Sequence, residues 1–118
     1  MFVFLKRWMR VMSDPKVRDL TPEDVARMQT EGRVVLVDVR EPNETDLERF
    51  PDSVLVPLSQ FDPGAIPARD GCEVVFACRS GRRSVTASLA AQEQGFAYDA
   101  HMAGGILAWK AAGLPTET

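Results

Sequence analysis

Residues 78–84 read Cys-Arg-Ser-Gly-Arg-Arg-Ser, between the apolar run of residues 74–77 and the alanine-rich segment of residues 85–91. A short β-branched and aromatic run, then a glycine-containing turn and a longer alanine-rich segment, predict a strand, a tight loop and a helix. Cys78 is therefore expected on the last step of the strand. The loop after it leads directly into a helix N-terminus. The other predicted strands and helices are arranged around this strand–loop–helix unit.

The position predicted for Cys78 favours a reactive thiolate. A helix N-terminus presents backbone N–H groups without intrahelical partners, and these groups stabilise negative charge. Such a site with arginines nearby lowers the pKa of a cysteine from about 8.5 to about 3.5–7.5. A single cysteine at a strand end is commonly a small buried hydrophobe, but the glycine and three arginines that follow favour a nucleophile. The predicted substrate-binding residues are Arg79, Ser80, Gly81, Arg82 and Arg83.

Length and composition describe one ordinary globular domain. The chain has 118 residues, of which 45% are hydrophobic and 26% charged, and its net charge is −3. This charge argues against nucleic acid as the main partner, since such proteins usually carry an excess of basic residues. An extended strand would place Cys72 roughly 20 Å from Cys78, too far for a disulfide. We therefore expect a reducing, cytoplasmic location.

Residues 1–14 form an apolar N-terminal extension with basic residues, ahead of a domain of residues 15–118. The apolar run is too short to cross a bilayer, which takes about 20 residues. It also starts apolar, whereas a signal peptide starts basic. Three interpretations stay open: an additional helix on the domain or a partner, an interfacial amphipathic segment, or an over-long start with Met12 as the natural first residue.

The remaining pattern alternates strands and helices, which predicts an α/β fold with a mostly parallel sheet. Thr21 and Pro22 have the residue types of a helix cap and first turn. The predicted strands are residues 17–20, 34–37, 54–56, 74–77 and 96–98. The predicted helices run over residues 22–30, 83–94 and 106–111.

Asp38 and Arg40 follow a buried strand, at the edge where open parallel sheets place their ligand sites. The commoner fate of adjacent opposite charges is pairing, so we expect Arg40 to pair with Glu41 or Glu44, and direct contact with substrate stays open as the alternative. Such a network would support the Cys78 loop without touching substrate. Asp38, Arg40 and Ser84 are therefore predicted as supporting residues.

Three segments together resemble the signatures of the rhodanese family, in the family's order: residues 38–44, the loop of residues 78–84, and residues 104–109 continued by residues 112–115. The resemblance spans most of the chain and implies a single-domain rhodanese. It implies a three-layer sandwich with a five-stranded, mostly parallel sheet and helices on both faces. It also implies a thiosulfate sulfurtransferase-like enzyme in which Cys78 carries sulfur as a persulfide.

The partners that this resemblance implies are a small anionic sulfur donor such as thiosulfate and a thiol or cyanide acceptor, with an acceptor protein as an alternative. We expect no cofactor and no metal. His101 is the only histidine, so a metal site lacks its usual companions. Persulfide chemistry on an ionised thiol does not require it as a general base.

One segment departs from the family pattern, and two other functions stay open. Residues 48–53 read Glu-Arg-Phe-Pro-Asp-Ser where many rhodaneses have Gly-His-Ile-Pro-Gly-Ala, which affects donor or acceptor preference. Cysteine phosphatases and arsenate reductases also use a thiolate in an anion-binding loop, but these phosphatases place arginine six positions after the cysteine. That position is Ser84 here. A catalytically idle rhodanese-like binding module is the other alternative, although it would be suggested by loss of the cysteine, and Cys78 is present.

Overall fold

Five parallel strands form the central sheet of the protein. In the computed structural model, which describes residues 15–118, the strands pair in the order β1-β5-β4-β2-β3. The predicted extension of residues 1–14 lies outside the described residues. The strands are β1 (Arg18–Leu20), β2 (Val34–Asp38), β3 (Ser53–Leu55), β4 (Glu73–Ala77) and β5 (Ala100–Met102).

Helices cover both faces of this sheet, which confirms the predicted three-layer α/β architecture. They are α1 (Pro22–Thr30), the short α2 (Pro42–Thr45), α3 (Arg82–Glu93) and α4 (Gly105–Ala111), with 3-10 turns at Leu58–Gln60 and Pro63–Ala65. None of these helices combines the length and the hydropathy needed to cross a bilayer.

The alternation of side chains along the buried strands creates two apolar layers. On β4, Val75 and Ala77 face the layer that contains Trp109 of α4. Phe76 and Cys78 face the opposite layer, which contains Ala87 of α3. Since successive strand residues point to opposite faces, the position of Cys78 two residues after Phe76 places its sulfur on the α3 side.

Helix α1 begins where the sequence predicts. The hydroxyl of Thr21 accepts the N–H of Asp24 at 3.0 Å, and the Asp24 carboxylate accepts the N–H of Thr21 at 3.1 Å. This reciprocal capping box satisfies two N–H groups that the first turn leaves without partners.

The strand predicted at residues 96–98 is wrong, because the fifth strand is β5 at Ala100–Met102. The Phe96 and Tyr98 rings stack on each other, with centroids 5.3 Å apart, and cover the α3-side apolar layer from a loop. The small Ala100 pairs with Val75 in the sheet instead. Strand β5 has no β-branched residue, so its sequence carries no strand signal.

Candidate active site

Cys78 follows the last residue of β4 and is 1% exposed. The chain then turns at Gly81, whose φ of +100° is left-handed and which precedes the first residue of α3. A Cβ at Gly81 would lie 2.9 Å from the backbone nitrogen of Gly104. The turn therefore requires glycine both for its backbone angle and for the space available.

The loop aims its N–H groups at the sulfur. The Gly81 N–H donates to Sγ of Cys78 at 3.1 Å and the Ser84 N–H at 3.4 Å, while the Ser84 hydroxyl oxygen lies 3.5 Å from it. Burial acts to raise the pKa of the Cys78 thiol, but hydrogen bonds from the Ser84 hydroxyl and from the N–H groups of Ser84, Gly81 and Ser80 outweigh it, so this pKa lies below its ordinary value. These hydrogen bonds stabilise the thiolate form of Cys78 against the cost of its burial.

Helix α4 holds the loop from the other side. The Ile106 N–H donates to the carbonyl of Cys78 at 2.8 Å, and the Leu107 N–H donates to that of Arg79 at 3.2 Å. A Cβ at Gly105 would overlap both carbonyl groups. The glycine pair of residues 104–105 therefore lets two backbone segments approach closely.

The three arginines of the loop differ in their surroundings. Arg83 is half-buried and forms a bidentate ion pair with Glu44, with N–O distances of 2.6 and 3.0 Å. This hydrogen-bonded pairing lowers the pKa of Glu44 to about 2. Arg79 and Arg82 are exposed, and neither pairs with a carboxylate within residues 15–118. Those two are the cations at the surface of the loop.

Asp38 and Arg40 form a buried ion pair. The Arg40 guanidinium donates to both carboxylate oxygens of Asp38 at 2.8–3.1 Å, and to the carbonyl of Glu48 at 2.9 Å. The expected pairing of Arg40 with Glu41 or Glu44 is wrong, because Asp38 is the closer carboxylate and Glu44 is taken by Arg83.

This pair does not contact the Cys78 sulfur. Asp38 is the register partner of Ala77, and the Arg40 guanidinium lies 5.7 Å from the ring centre of Phe50, which belongs to the Trp109 layer. The sulfur lies on the other face. A role of Asp38 and Arg40 in supporting the Cys78 loop stays a prediction, and the direct link between the strand ends is the N–H of Val39 donating to the Ala77 carbonyl at 2.9 Å.

The divergent residues 48–53 join the sheet to the C-terminal segment. Phe50 is fully buried and packs edge-on against Trp109 with ring centres 5.5 Å apart. The Glu48 carboxylate accepts hydrogen bonds from Lys110 at 2.9 Å and from Thr116 at 2.6 Å. Phe50 and Glu48 thus contact the core, the buried Arg40 and the C-terminal segment.

His101, of which the sequence predicts neither a metal site nor a general-base role, lies beside Ser84 of the loop. Its Nδ1 lies 2.8 Å from the Ser84 hydroxyl oxygen, and its Nε2 lies 2.6 Å from a carboxylate oxygen of Asp19. Among residues 15–118, no three potential metal ligands gather. A fifth strand at residues 96–98 would place His101 in a loop. A strand over Ala100–Met102 beside β4 would have brought it to the site.

Relatives of similar sequence include proteins named as sulfurtransferases and proteins that are uncharacterized. An uncharacterized protein from Synechocystis is 38% identical over 97 residues, which cover 82% of this chain and 54% of that protein. This chain thus spans about half the length of that relative. A sulfurtransferase from Allochromatium vinosum is 32% identical over 84% of this chain and 94% of its own. A thiosulfate:glutathione sulfurtransferase from Saccharomyces cerevisiae is 32% identical over 77% of this chain and 76% of its own.

Solved structures share the same fold. A rhodanese-related protein from Thermoplasma volcanium superposes with a TM-score of 0.72 at 25% identity, over 85% of this chain and 97% of its own. A Rhodopseudomonas palustris protein of unknown function, described as a possible tyrosine phosphatase, also gives 0.72, at 32% identity over 86% of this chain and 85% of its own. The family model of the rhodanese-like domain matches residues 21–112, and the chain therefore belongs to the rhodanese-like family.

Proposed function

We propose that this protein transfers a sulfane sulfur from a small anionic donor such as thiosulfate to a nucleophilic acceptor, and that Cys78 carries the sulfur as a persulfide. The observation that carries the proposal is the pair of N–H groups, from Gly81 and Ser84, that donate to the Cys78 sulfur at 3.1 and 3.4 Å. These donors stabilise a negative sulfur, and they are fixed in place before any substrate arrives.

In the first half-reaction, the Cys78 thiolate attacks the outer sulfur of thiosulfate. A sulfur–sulfur bond forms to Cys78, the original sulfur–sulfur bond of the donor breaks, and sulfite leaves with the electron pair. The exposed Arg79 and Arg82 attract the dianionic donor to the loop. The loop N–H groups face the persulfide as they faced the thiolate.

In the second half-reaction, an acceptor nucleophile removes the outer sulfur. A thiolate acceptor forms a new persulfide, or cyanide forms thiocyanate, and the electron pair of the broken bond returns to Cys78 as thiolate. The yeast relative named for thiosulfate and glutathione supports a small thiol as acceptor. The donor, the acceptor and the cytoplasmic location remain proposals for this chain.

The phosphatase alternative has less support from the site. The position six residues after Cys78 is Ser84, whose hydroxyl faces the sulfur, and the nearby Arg83 is bound to Glu44. A guanidinium that is held by a carboxylate is a poorer ligand for a phosphoryl group. A catalytically idle binding module would not need the N–H groups of Gly81 and Ser84 to donate to the Cys78 sulfur.

A persulfide assay tests the proposal. The protein is incubated with thiosulfate, desalted and digested, and the peptide containing Cys78 is weighed by mass spectrometry. We expect the gain of one sulfur atom, its loss after addition of glutathione or cyanide, and no gain in Cys78→Ser. Cys72→Ser is the matched control, because Cys72 bonds the Gly32 carbonyl away from the loop and should leave the gain unchanged.

Two outcomes would contradict the proposal. Release of phosphate from an aryl phosphate by the same sample, without a sulfur gain, would favour a phosphatase. Absence of both reactions in a folded protein, with a range of anionic sulfur donors, would favour a binding module.

A further inference from the structure

A row of hydrogen-bonded side chains connects the Cys78 sulfur to the protein surface. The Ser84 hydroxyl oxygen lies 3.5 Å from the sulfur and 2.8 Å from Nδ1 of His101. Nε2 of His101 lies 2.6 Å from Oδ1 of Asp19. The His101 side chain is 5% exposed and that of Asp19 is 72% exposed.

The sheet register places these groups on one face. His101 on β5 is the register partner of Asp19 on β1 and of Phe76 on β4. Cys78 is two residues beyond Phe76, so its side chain projects to the same face. Ser84 comes from the first turn of α3, which covers that face. Three strands and one helix thus build the row.

The hydrogen-bond capacities of the row allow two arrangements. When Cys78 is a thiol, its S–H donates to the Ser84 oxygen, the Ser84 O–H donates to the bare Nδ1 of His101, and Nε2–H donates to Asp19. When Cys78 is a thiolate, the Ser84 O–H donates to the sulfur. The Ser84 oxygen then has room for the Nδ1–H of His101.

We propose that Ser84, His101 and Asp19 form a proton relay that removes the proton of Cys78, so that thiolate and imidazolium form together. The inference rests on the proposed role of Cys78 as the reactive thiol. The S–H bond breaks with its electron pair left on sulfur, and its proton binds the Ser84 oxygen. The former hydroxyl proton of Ser84 binds Nδ1. One proton therefore moves from sulfur to imidazole, and no external reactant is needed.

Asp19 is the positioning residue of this relay. A buried imidazolium is unfavourable unless it is paired, and the Asp19 carboxylate supplies the negative charge while it keeps a proton on Nε2. The other charged groups around the row are Arg83 in the first turn of α3, Glu44 bound to it, and Arg18, which bonds Asp99 and Glu73. None of these five groups contacts the imidazole within the described residues.

The rate of Cys78 alkylation by iodoacetamide, followed against pH on the peptide that contains Cys78, tests the relay. In His101→Gln we expect the midpoint of the profile to rise by about one pH unit, so that alkylation below it slows about tenfold. In Asp19→Asn we expect a smaller rise, equivalent to about a threefold slowing, because the carboxylate is exposed and screened. Asp19→Glu should restore most of the wild-type midpoint.

Asp99→Asn is the matched control, since it removes a nearby carboxylate that bonds Arg18 and not His101. Its midpoint should stay at the wild-type value. The relay would be overturned if the pH profiles of Cys78 alkylation in His101→Gln and Asp19→Asn both kept the wild-type midpoint. It would also be overturned if these substitutions slowed the alkylation equally at every pH. The exposed Asp19 can be changed without disturbing the core, so its result stands even if His101→Gln folds poorly. Alkylation needs no sulfur donor, so this result is independent of the persulfide assay.

Discussion

The Arg83 guanidinium donates two hydrogen bonds to the Glu44 carboxylate, at 2.6 and 3.0 Å. Arg83 lies in the first turn of α3 and Glu44 in α2, so the pair fixes the start of α3 to the segment that follows β2. The same contact keeps Arg83 from turning freely toward a substrate. Its main consequence is therefore structural, and it should be visible in the pH dependence of stability.

Glu44→Gln should destabilise the protein at neutral pH. The pKa of Glu44 falls from an ordinary value of 4.5 to about 2 in the folded state. A lowered folded-state pKa contributes stability that is complete above the unfolded value and is lost as the pH falls from about 4.5 toward 2. With both side chains partly exposed, we expect a loss of about 1–3 kcal/mol at pH 7, measured by urea denaturation.

The difference between wild type and Glu44→Gln should shrink as the pH falls through this window. Glu93→Gln is the control, since Glu93 is exposed near the end of α3 and should change stability little at any pH. A Glu44→Gln protein that matches wild type at pH 7 would show that the ion pair contributes nothing.

Gly105→Ala should disturb both the fold and the reactive loop. The new Cβ would overlap the carbonyl groups of Cys78 and Arg79, and the φ of +60° is itself unfavourable for alanine. We expect a loss of stability of about 2–4 kcal/mol, the sum of a backbone penalty and an overpacking penalty. Slower iodoacetamide alkylation of Cys78 should accompany it, because the loop must move.

Gly113→Ala separates the two causes. Gly113 has a similar φ of +78°, but a Cβ there meets no atom within 4 Å. We expect it to lose only the backbone part, about 1–2 kcal/mol, with unchanged alkylation of Cys78. Equal effects of the two substitutions on stability and alkylation would contradict the close packing of α4 under the loop.

Asp38→Ala should be among the most damaging single changes outside the loop. It would leave the Arg40 guanidinium buried without its carboxylate partner, because both side chains are at most 5% exposed. Breaking one half of a buried ion pair typically costs about 3–5 kcal/mol. Thermal and urea denaturation would measure the loss. The exposed pair of Glu31 and Arg33 gives the comparison, where Glu31→Ala should cost at most about 1 kcal/mol.

The backbone structure around Cys78 can be predicted from the sequence. A strand, a glycine turn and a helix over residues 74–91 follow from residue types alone, and they predict that N–H groups face Cys78. The two glycines before α4 also predict a close approach. These features depend on neighbours in the chain, which a sequence displays directly.

The features that the sequence does not predict depend on contacts between residues that are distant in the chain. Arg40 has several carboxylates close in sequence, and only the three-dimensional arrangement assigns it to Asp38 and Arg83 to Glu44. The strand β5 lacks β-branched residues, and its membership in the sheet comes from the neighbours that flank it. The contact between His101 and Ser84 is not predicted either, because it depends on the pairing of β5 with β4.

Arg79→Ala and Arg82→Ala should each reduce the preference of Cys78 for anionic reagents. Both guanidinium groups are exposed on the loop, so they raise the local concentration of anions without setting the ionisation of the buried sulfur. We expect the ratio of alkylation by iodoacetate to that by neutral iodoacetamide to fall about threefold per arginine at low salt. The fall should vanish in high salt, where charges are screened over a few ångströms. Arg27→Ala on α1 removes the same charge away from the loop, and an equal fall in that variant would assign the effect to net charge alone.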